Sequence, residues 1–385
     1  MYSPAANHNA MKQFLLFIST LLTFVACNKT IHVDITGQLN NNAASMVYLL
    51  VENESVDTLA SAPINTDDRF HLECKVTQPS TAFLCDDNGT ALTMFLTEDA
   101  PLTMRAAEGG GYKVEGGPIN DKYNLIIRQL SDLATQIVNI NYGAETAQEE
   151  HESLMAKCQE VLSSAITFNL DNIIGVELFI NQESHNMTAE DMRVRFAQFS
   201  PQMQKLAPMR QFSKYIDILE RCQVGKPFID VNVETVTGEV IPLSSICGKG
   251  KWVLLNFWAM WCEPCLREIN LLKELHSKYA LMGFDICSIS LDPDPERLRQ
   301  FIANNQLLWF NAMNYTSEDE SSVVDNYGIN FIPTNFLISP DGIIVARDLY
   351  DEHLSHELQH RIAGDDICSF PQLHNNQIIT TSKEK

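Results

Sequence analysis

Lys251 to Glu268 reads KWVLLNFWAMWCEPCLRE, an apolar run that ends in two cysteines separated by Glu263 and Pro264. Val253, Leu254, Leu255 and Phe257 make a short continuous hydrophobic segment, the pattern of a strand in a parallel sheet covered on both faces. Past Cys265 the period changes. Leu266, Ile269, Leu272, Leu275 and Tyr279 recur at three- or four-residue steps, which predicts an amphipathic helix over 262–280. Cys262 then falls at a helix N-terminus, where unpaired amide N–H groups favour a thiolate, the species that attacks a disulfide. A structural zinc site would need a second close pair of ligands. Cys222, Cys247, Cys287 and Cys368 are isolated in the sequence, so neither a metal nor a cofactor is expected here.

Trp261-Cys262-Glu263-Pro264-Cys265 resembles the active-site motif of the thioredoxin superfamily. A second landmark agrees with it: Gly328 to Ile338, GINFIPTNFLI, resembles the family's cis-proline loop, with Pro333 the expected cis residue and a strand after it. Asp341-Gly342 then turns into Ile343-Ile344-Val345, a hairpin signal. The resemblance covers residues 225–364. The long connection from Cys265 to Pro333 is similar to the strand-and-helix insertion of the membrane-tethered TlpA and ResA type. It implies an α/β thioredoxin fold with Trp261, Ile332 and Pro333 as substrate-binding residues.

The same resemblance implies a redox-active Cys262–Cys265 disulfide and thiol-disulfide exchange. Cys262 attacks, forming a mixed disulfide that Cys265 resolves. Cys265 must lose a proton at that step. Thioredoxins proper place a buried aspartate in the preceding strand, but the matching residue here is Asn256, which cannot accept it. Glu268, one helical turn beyond Cys265, is the candidate base; the bland reading makes it a solvated glutamate in a helix's acidic first turns. Glu263 and Glu268 both oppose a thiolate at Cys262, so a reducing couple is expected, nearer roughly -270 mV than roughly -120 mV. Disulfides of exported proteins, including apocytochromes before haem attachment, are the implied clients, with a membrane electron donor upstream. A thiol peroxidase of this fold usually carries Thr-x-x-Cys, whereas Ala259-Met260-Trp261-Cys262 lacks the threonine. A non-enzymatic binding module would have little reason to keep an intact Cys-x-x-Cys.

The 385 residues predict several domains, and the fold class expected is multidomain: an N-terminal all-β sandwich, a central α-helical region and the C-terminal α/β thioredoxin fold. Residues 1–27 read as a signal peptide. Lys12 precedes a 13-residue apolar run too short to span a bilayer, and Phe24-Val25-Ala26-Cys27 resembles a bacterial lipobox. Cys27 is then the lipid attachment site, and the protein is expected on the periplasmic side of a cell-envelope membrane. Residues 28–118 carry short strands at 31–37, 46–51, 70–76, 82–85, 92–96 and 102–105, similar to the β-rich domain of unassigned function that precedes thioredoxin modules in Gram-negative lipoproteins.

Residues 119–222 predict four or five helices, whose stripes (Ile126, Leu130, Leu133, Ile137; Leu154, Cys158, Val161, Ala165) suit either a core or a homodimer interface. Residues 365–385 form a tail. The net charge of -22 argues against nucleic acid as a partner. Seven cysteines remain besides Cys27, Cys262 and Cys265, so at least one is free in a monomer; Cys74 and Cys85 are the candidates for a pair. His353, His356 and His360 share the polar face of a last helix over 354–362, where chance spacing is the simpler reading than a metal site.

Overall fold

The structure is a computed structural model that describes residues 30–40, 44–52, 56–316 and 321–363. The expected signal peptide, Cys27 and the tail lie outside the described residues. The chain divides into two compact units, one reaching to Phe179 with Leu206–Pro208, the other made of Ile180–Lys205 and the chain from Met209 onward.

The first unit opens with β1 (Ile31–Gln38), β2 (Met46–Glu52), β3 (Val56–Pro63), β4 (Arg69–Val76), β5 (Thr81–Asp86), β6 (Ala91–Leu96), β7 (Pro101–Ala106) and β8 (Tyr112–Glu115). They form two four-stranded sheets, ordered β4-β1-β7-β8 and β3-β2-β5-β6. Strict alternation turns Val33, Ile35, Phe70 and Leu72 of one sheet and Val47, Leu49, Ala82 and Leu84 of the other into a single buried core. Sequence reading missed β3 and β8. Both are edge strands, where one flank carries no partner and the apolar alternation is weaker.

Cys74 and Cys85 are free thiols. Cys74 packs on the sandwich core from β4, whereas Cys85 shares the opposite face of β5 from the buried Ala82 and Leu84. The period-2 alternation that buries one directs the other outward, so the candidate pair is not formed.

Among the described residues of the middle region there are six α-helical segments rather than four or five: α1 (Pro118–Val138), α2 (Ala147–Thr167), α3 (Ile173–Leu178), α4 (Ala189–Gln198), α5 (Pro201–Gln204) and α6 (Ala207–Arg221). The surplus comes from short pieces that carry too few turns to show a period. α1 is tied to the sandwich by polar groups. Buried Glu98 accepts from Ile119 N at 3.0 Å and from Asn120 N at 2.9 Å, capping the helix with a carboxylate where its dipole is positive. Asn120 in turn donates through Nδ2 to Leu96 O and to Glu98 Oε1, each at 2.7 Å, and accepts from Leu96 N at 2.9 Å. A Cβ on Gly117 would sit 2.2 Å from the Glu98 carboxylate, which explains the glycine before the helix.

The second unit holds a seven-stranded sheet of β9 (Asn232–Thr235), β10 (Val240–Pro242), β11 (Trp252–Trp258), β12 (Phe284–Ser290), β13 (Phe310–Met313), β14 (Thr334–Ile338) and β15 (Ile344–Arg347), ordered β10-β9-β13-β12-β11-β14-β15. Besides α4, α5 and most of α6, this unit carries helices α7 (Glu263–Tyr279), α8 (Pro295–Asn305), α9 (Val323–Tyr327) and α10 (Asp351–Leu358). β11 is parallel to β12 but antiparallel to β14, so the sheet is mixed where the apolar run alone suggested a parallel one. What that run encodes is burial on both faces. Val253, Leu255 and Phe257 enter one core with Tyr327 and Phe336, and Leu254 and Trp258 enter the other with the inner stripe of α7.

Replacing Asn120 with alanine strands Leu96 N–H and one side of the Glu98 carboxylate in a buried site. We expect a loss of about 2–3 kcal/mol, read as a lower urea midpoint for the first unit with its secondary structure retained at zero denaturant.

Candidate active site

The site is assembled at one end of β11. Beyond Trp258 the chain makes a tight turn, with Cys262 N donating to Ala259 O at 3.2 Å, and enters α7 with Cys262 as its N-cap. Pro264 occupies the first turn of that helix, where its missing N–H costs nothing. Cys262 and Cys265 are joined as a disulfide, and Cys262 Sγ accepts from Cys265 N at 3.2 Å. That amide is one of the unpaired donors of the helix start, and in the reduced protein it faces the thiolate. In the disulfide form Cys262 and Cys265 are both covered, 5% and 3% exposed.

Opposite the disulfide lies the loop before β14. The Ile332–Pro333 peptide bond is cis, and Ile332 O lies 3.7 Å from Cys262 Sγ, where a thiol would donate to it. Trp261, 67% exposed, and Phe331, 61% exposed, put two large apolar surfaces in water beside the buried sulfurs. Phe331 escaped the sequence reading because a single aromatic residue in a loop, two positions before a proline, carries no periodic signal.

Glu268 follows Cys265 by one turn of α7 and is half-buried. Burial, and secondarily the charge of Asp351, push its carboxyl up to about 7. It is therefore not a solvated surface glutamate. Glu263 behaves differently: it is exposed and 3.2 Å from Arg267, so water and that partner screen its effect on the cysteines. Asn256 is buried on the face of β11 that carries Leu254 and Trp258, and its Oδ1 has no hydrogen-bond partner among the described residues.

Three further residues hold the site together. Asp292, buried just past β12, accepts from Met260 N at 2.8 Å and from Ser290 Oγ at 2.7 Å, pinning the turn that leads to Cys262. Tyr350 donates to Pro333 O at 2.8 Å, and its phenol is pushed up by burial and by the charges of Asp348 and Glu268. Asn335 fastens the same segment, donating to Leu349 O at 2.7 Å and accepting from Leu349 N at 3.0 Å. Asp348 and Asp351, either side of this segment, adopt left-handed backbone conformations, with φ of 54° and 47°. Ser290-Leu291-Asp292 at a strand end was the one sequence signal for the first; nothing in the sequence pointed to Tyr350. The His353, His356 and His360 side chains are exposed on α10 and its π-helical continuation, as expected, and do not converge on a common point.

The sequence around this site is similar to that of known proteins. Residues 224–347 match the AhpC/TSA family model, and residues 33–123 match a domain of unknown function, DUF4369. Over 128 residues the chain is 32% identical to the thiol-disulfide oxidoreductase ResA of Bacillus thuringiensis, covering 33% of this chain and 70% of that protein. This chain belongs to the ResA-like thiol-disulfide oxidoreductases. The ResA of Oceanobacillus iheyensis is 33% identical over 126 residues, covering 32% of this chain and 62% of the relative. A thiol-disulfide oxidoreductase structure from Bacteroides fragilis is 32% identical, covers 35% of this chain and 98% of its own, and superposes with a TM-score of 0.32.

In this ResA-like site Tyr350 touches the loop and not the sulfurs, so it acts on alignment. Tyr350→Phe removes only the hydroxyl. It is expected to raise KM for a disulfide-bonded protein several-fold while kcat stays within about twofold, at a stability cost of about 1 kcal/mol. Steady-state kinetics in which kcat falls and KM does not would remove the positioning role.

Proposed function

We propose that this chain is a reductase of disulfides in exported proteins, held at a membrane surface by a lipid on Cys27 and recharged by a membrane electron donor. The observation that carries the reading is the Cys262–Cys265 disulfide at the N-terminus of α7, facing the Ile332 carbonyl and backed by a half-buried glutamate. In the forward reaction the Cys262 thiolate attacks a client disulfide. A Cys262–client S–S bond forms, and the client's other sulfur leaves as a thiolate. Cys265 then attacks Cys262 Sγ, giving its proton to Glu268, and the client's second sulfur departs. The client is reduced by two electrons and the pair ends as the disulfide.

Glu268 suits this step because it changes charge near pH 7. A carboxylate close to the pair also raises the cost of a thiolate, which supports a reducing rather than an oxidising couple. Trp261 and Phe331 fit extended or partly folded clients, whose apolar side chains are available beside the disulfide. Apocytochromes before haem attachment are clients of this kind.

Glu268→Gln should separate base from bystander. Its raised carboxyl means that ionisation costs the folded state more than the unfolded one, so wild-type stability falls as pH rises from about 4.5 to about 7. The variant should match wild type below that window and have the higher unfolding midpoint above it. Exchange with a model disulfide should slow about tenfold or more, and the rate rise through neutral pH should disappear.

The function itself is tested by Cys265→Ser, which keeps the attacking thiol and removes the resolving one. Mixed disulfides should accumulate through Cys262, and the trapped clients should be more oxidised in cells lacking the protein. Trapping no greater than that of a Cys262→Ser, Cys265→Ser control would end the exchange mechanism, and clients that become more reduced would reverse its direction.

A further inference from the structure

The outer face of the first unit's β4-β1-β7-β8 sheet carries a cluster that disulfide exchange does not use. β1 contributes His32-Val33-Asp34 and β4 contributes His71-Leu72-Glu73, the same His-x-acid pattern on two neighbouring strands. Val33 and Leu72 are buried in the sandwich core, so the pleat forces all four polar side chains outward, and a one-residue slip would expose the core instead. Antiparallel pairing sets Asp34 directly opposite Glu73. Two carboxylates opposed across a strand pair repel unless a cation lies between them.

The imidazoles converge on that pair. His71 Nε2 lies 2.9 Å from Asp34 Oδ1 and 3.4 Å from Glu73 Oε1, and His32 Nε2 lies 4.0 Å from Glu73 Oε2. One ligand atom from each of Asp34, His71 and Glu73 falls within 4.8 Å of the others, and this is the one such group among the described residues. A tetrahedral zinc ion with arms of about 2.0–2.1 Å holds neighbouring ligand atoms about 3.3 Å apart. The two separations from His71, 2.9 and 3.4 Å, are close to that edge length, the third lies within 4.8 Å, and His32 Nε2, 4.0 Å from Glu73 Oε2, is the nearest further imidazole on this face. We propose that β1 and β4 bind a divalent transition-metal ion of the zinc class through Asp34, His71 and Glu73, with His32 as fourth ligand. Imidazole nitrogens favour zinc over magnesium or calcium, which prefer oxygen alone. Cys74, next to Glu73, packs on the core and takes no part. Because β4 is the edge of its sheet, the ion would clamp that edge strand to its neighbour.

Calorimetric titration of zinc chloride into the full-length, oxidised protein tests this, with magnesium chloride as the comparison ion. One equivalent of zinc should bind and magnesium should not. His71→Ala and Glu73→Gln should each weaken binding about tenfold or more, whereas His356→Ala should bind as wild type. All three variants should retain disulfide exchange. Zinc should also shift the His32 and His71 ring resonances in wild type. If wild type takes up no zinc, hydrogen bonds to the rings and Lys75 opposite His32 are enough to hold the carboxylates together, and the proposal fails. Zinc uptake equal in wild type and in both β4 variants would place the ion on thiols elsewhere and overturn it equally.

Discussion

The burial of β11 on both faces is the constraint from which the active site follows. The same strand is interior to its sheet, with a neighbour along each edge. Here one neighbour, β12, runs parallel and the other, β14, antiparallel. The C-terminal ends of β11 and β12 and the start of β14 therefore meet along a single edge. Trp258 pairs with Ser290 and Phe257 with Thr334, which brings Asp292, the Cys262 turn and Pro333 together although they are far apart in sequence.

That arrangement separates rigid parts from reactive ones. The disulfide stands on the N-terminus of α7, whose inner stripe of Ile269, Leu272, Leu275 and Tyr279 is buried against β11 and β12. Asp292 fixes the turn below the cysteines, and Tyr350 with Asn335 fixes the loop above them. The reacting sulfurs need little reorganisation during exchange, because the groups that align them are held by hydrogen bonds within the fold. Glu268 is close enough to this shell for its charge to act on Tyr350, so this carboxyl and the loop support belong to one electrostatic neighbourhood.

The first unit follows other physics. Its sandwich core sets which side chains face out, and its buried Glu98–Asn120 network joins it to α1. Neither feature brings thiol chemistry with it. Its free cysteines show how strongly the pleat governs: Cys74 and Cys85 share one small domain and still point to opposite sides of their sheets.

The sequence alone determined the elements whose residues report their own surroundings. The apolar run of Val253, Leu254, Leu255 and Phe257 placed β11, the stripe from Leu266 to Tyr279 placed α7, and two motifs some seventy residues apart named both sides of the site. Periodicity and turn chemistry are local, so they survive in one dimension. Strand direction does not, because a parallel and an antiparallel neighbour bury the same side chains; the mixed sheet, the edge strands β3 and β8 and the unpaired cysteines were settled only by tertiary pairing. The same holds for charge. Glu263 and Glu268 look alike in the sequence, yet one lies in water beside Arg267 and the other is half-buried near Asp351, and that difference in solvation is what pushes the Glu268 carboxyl up to about 7.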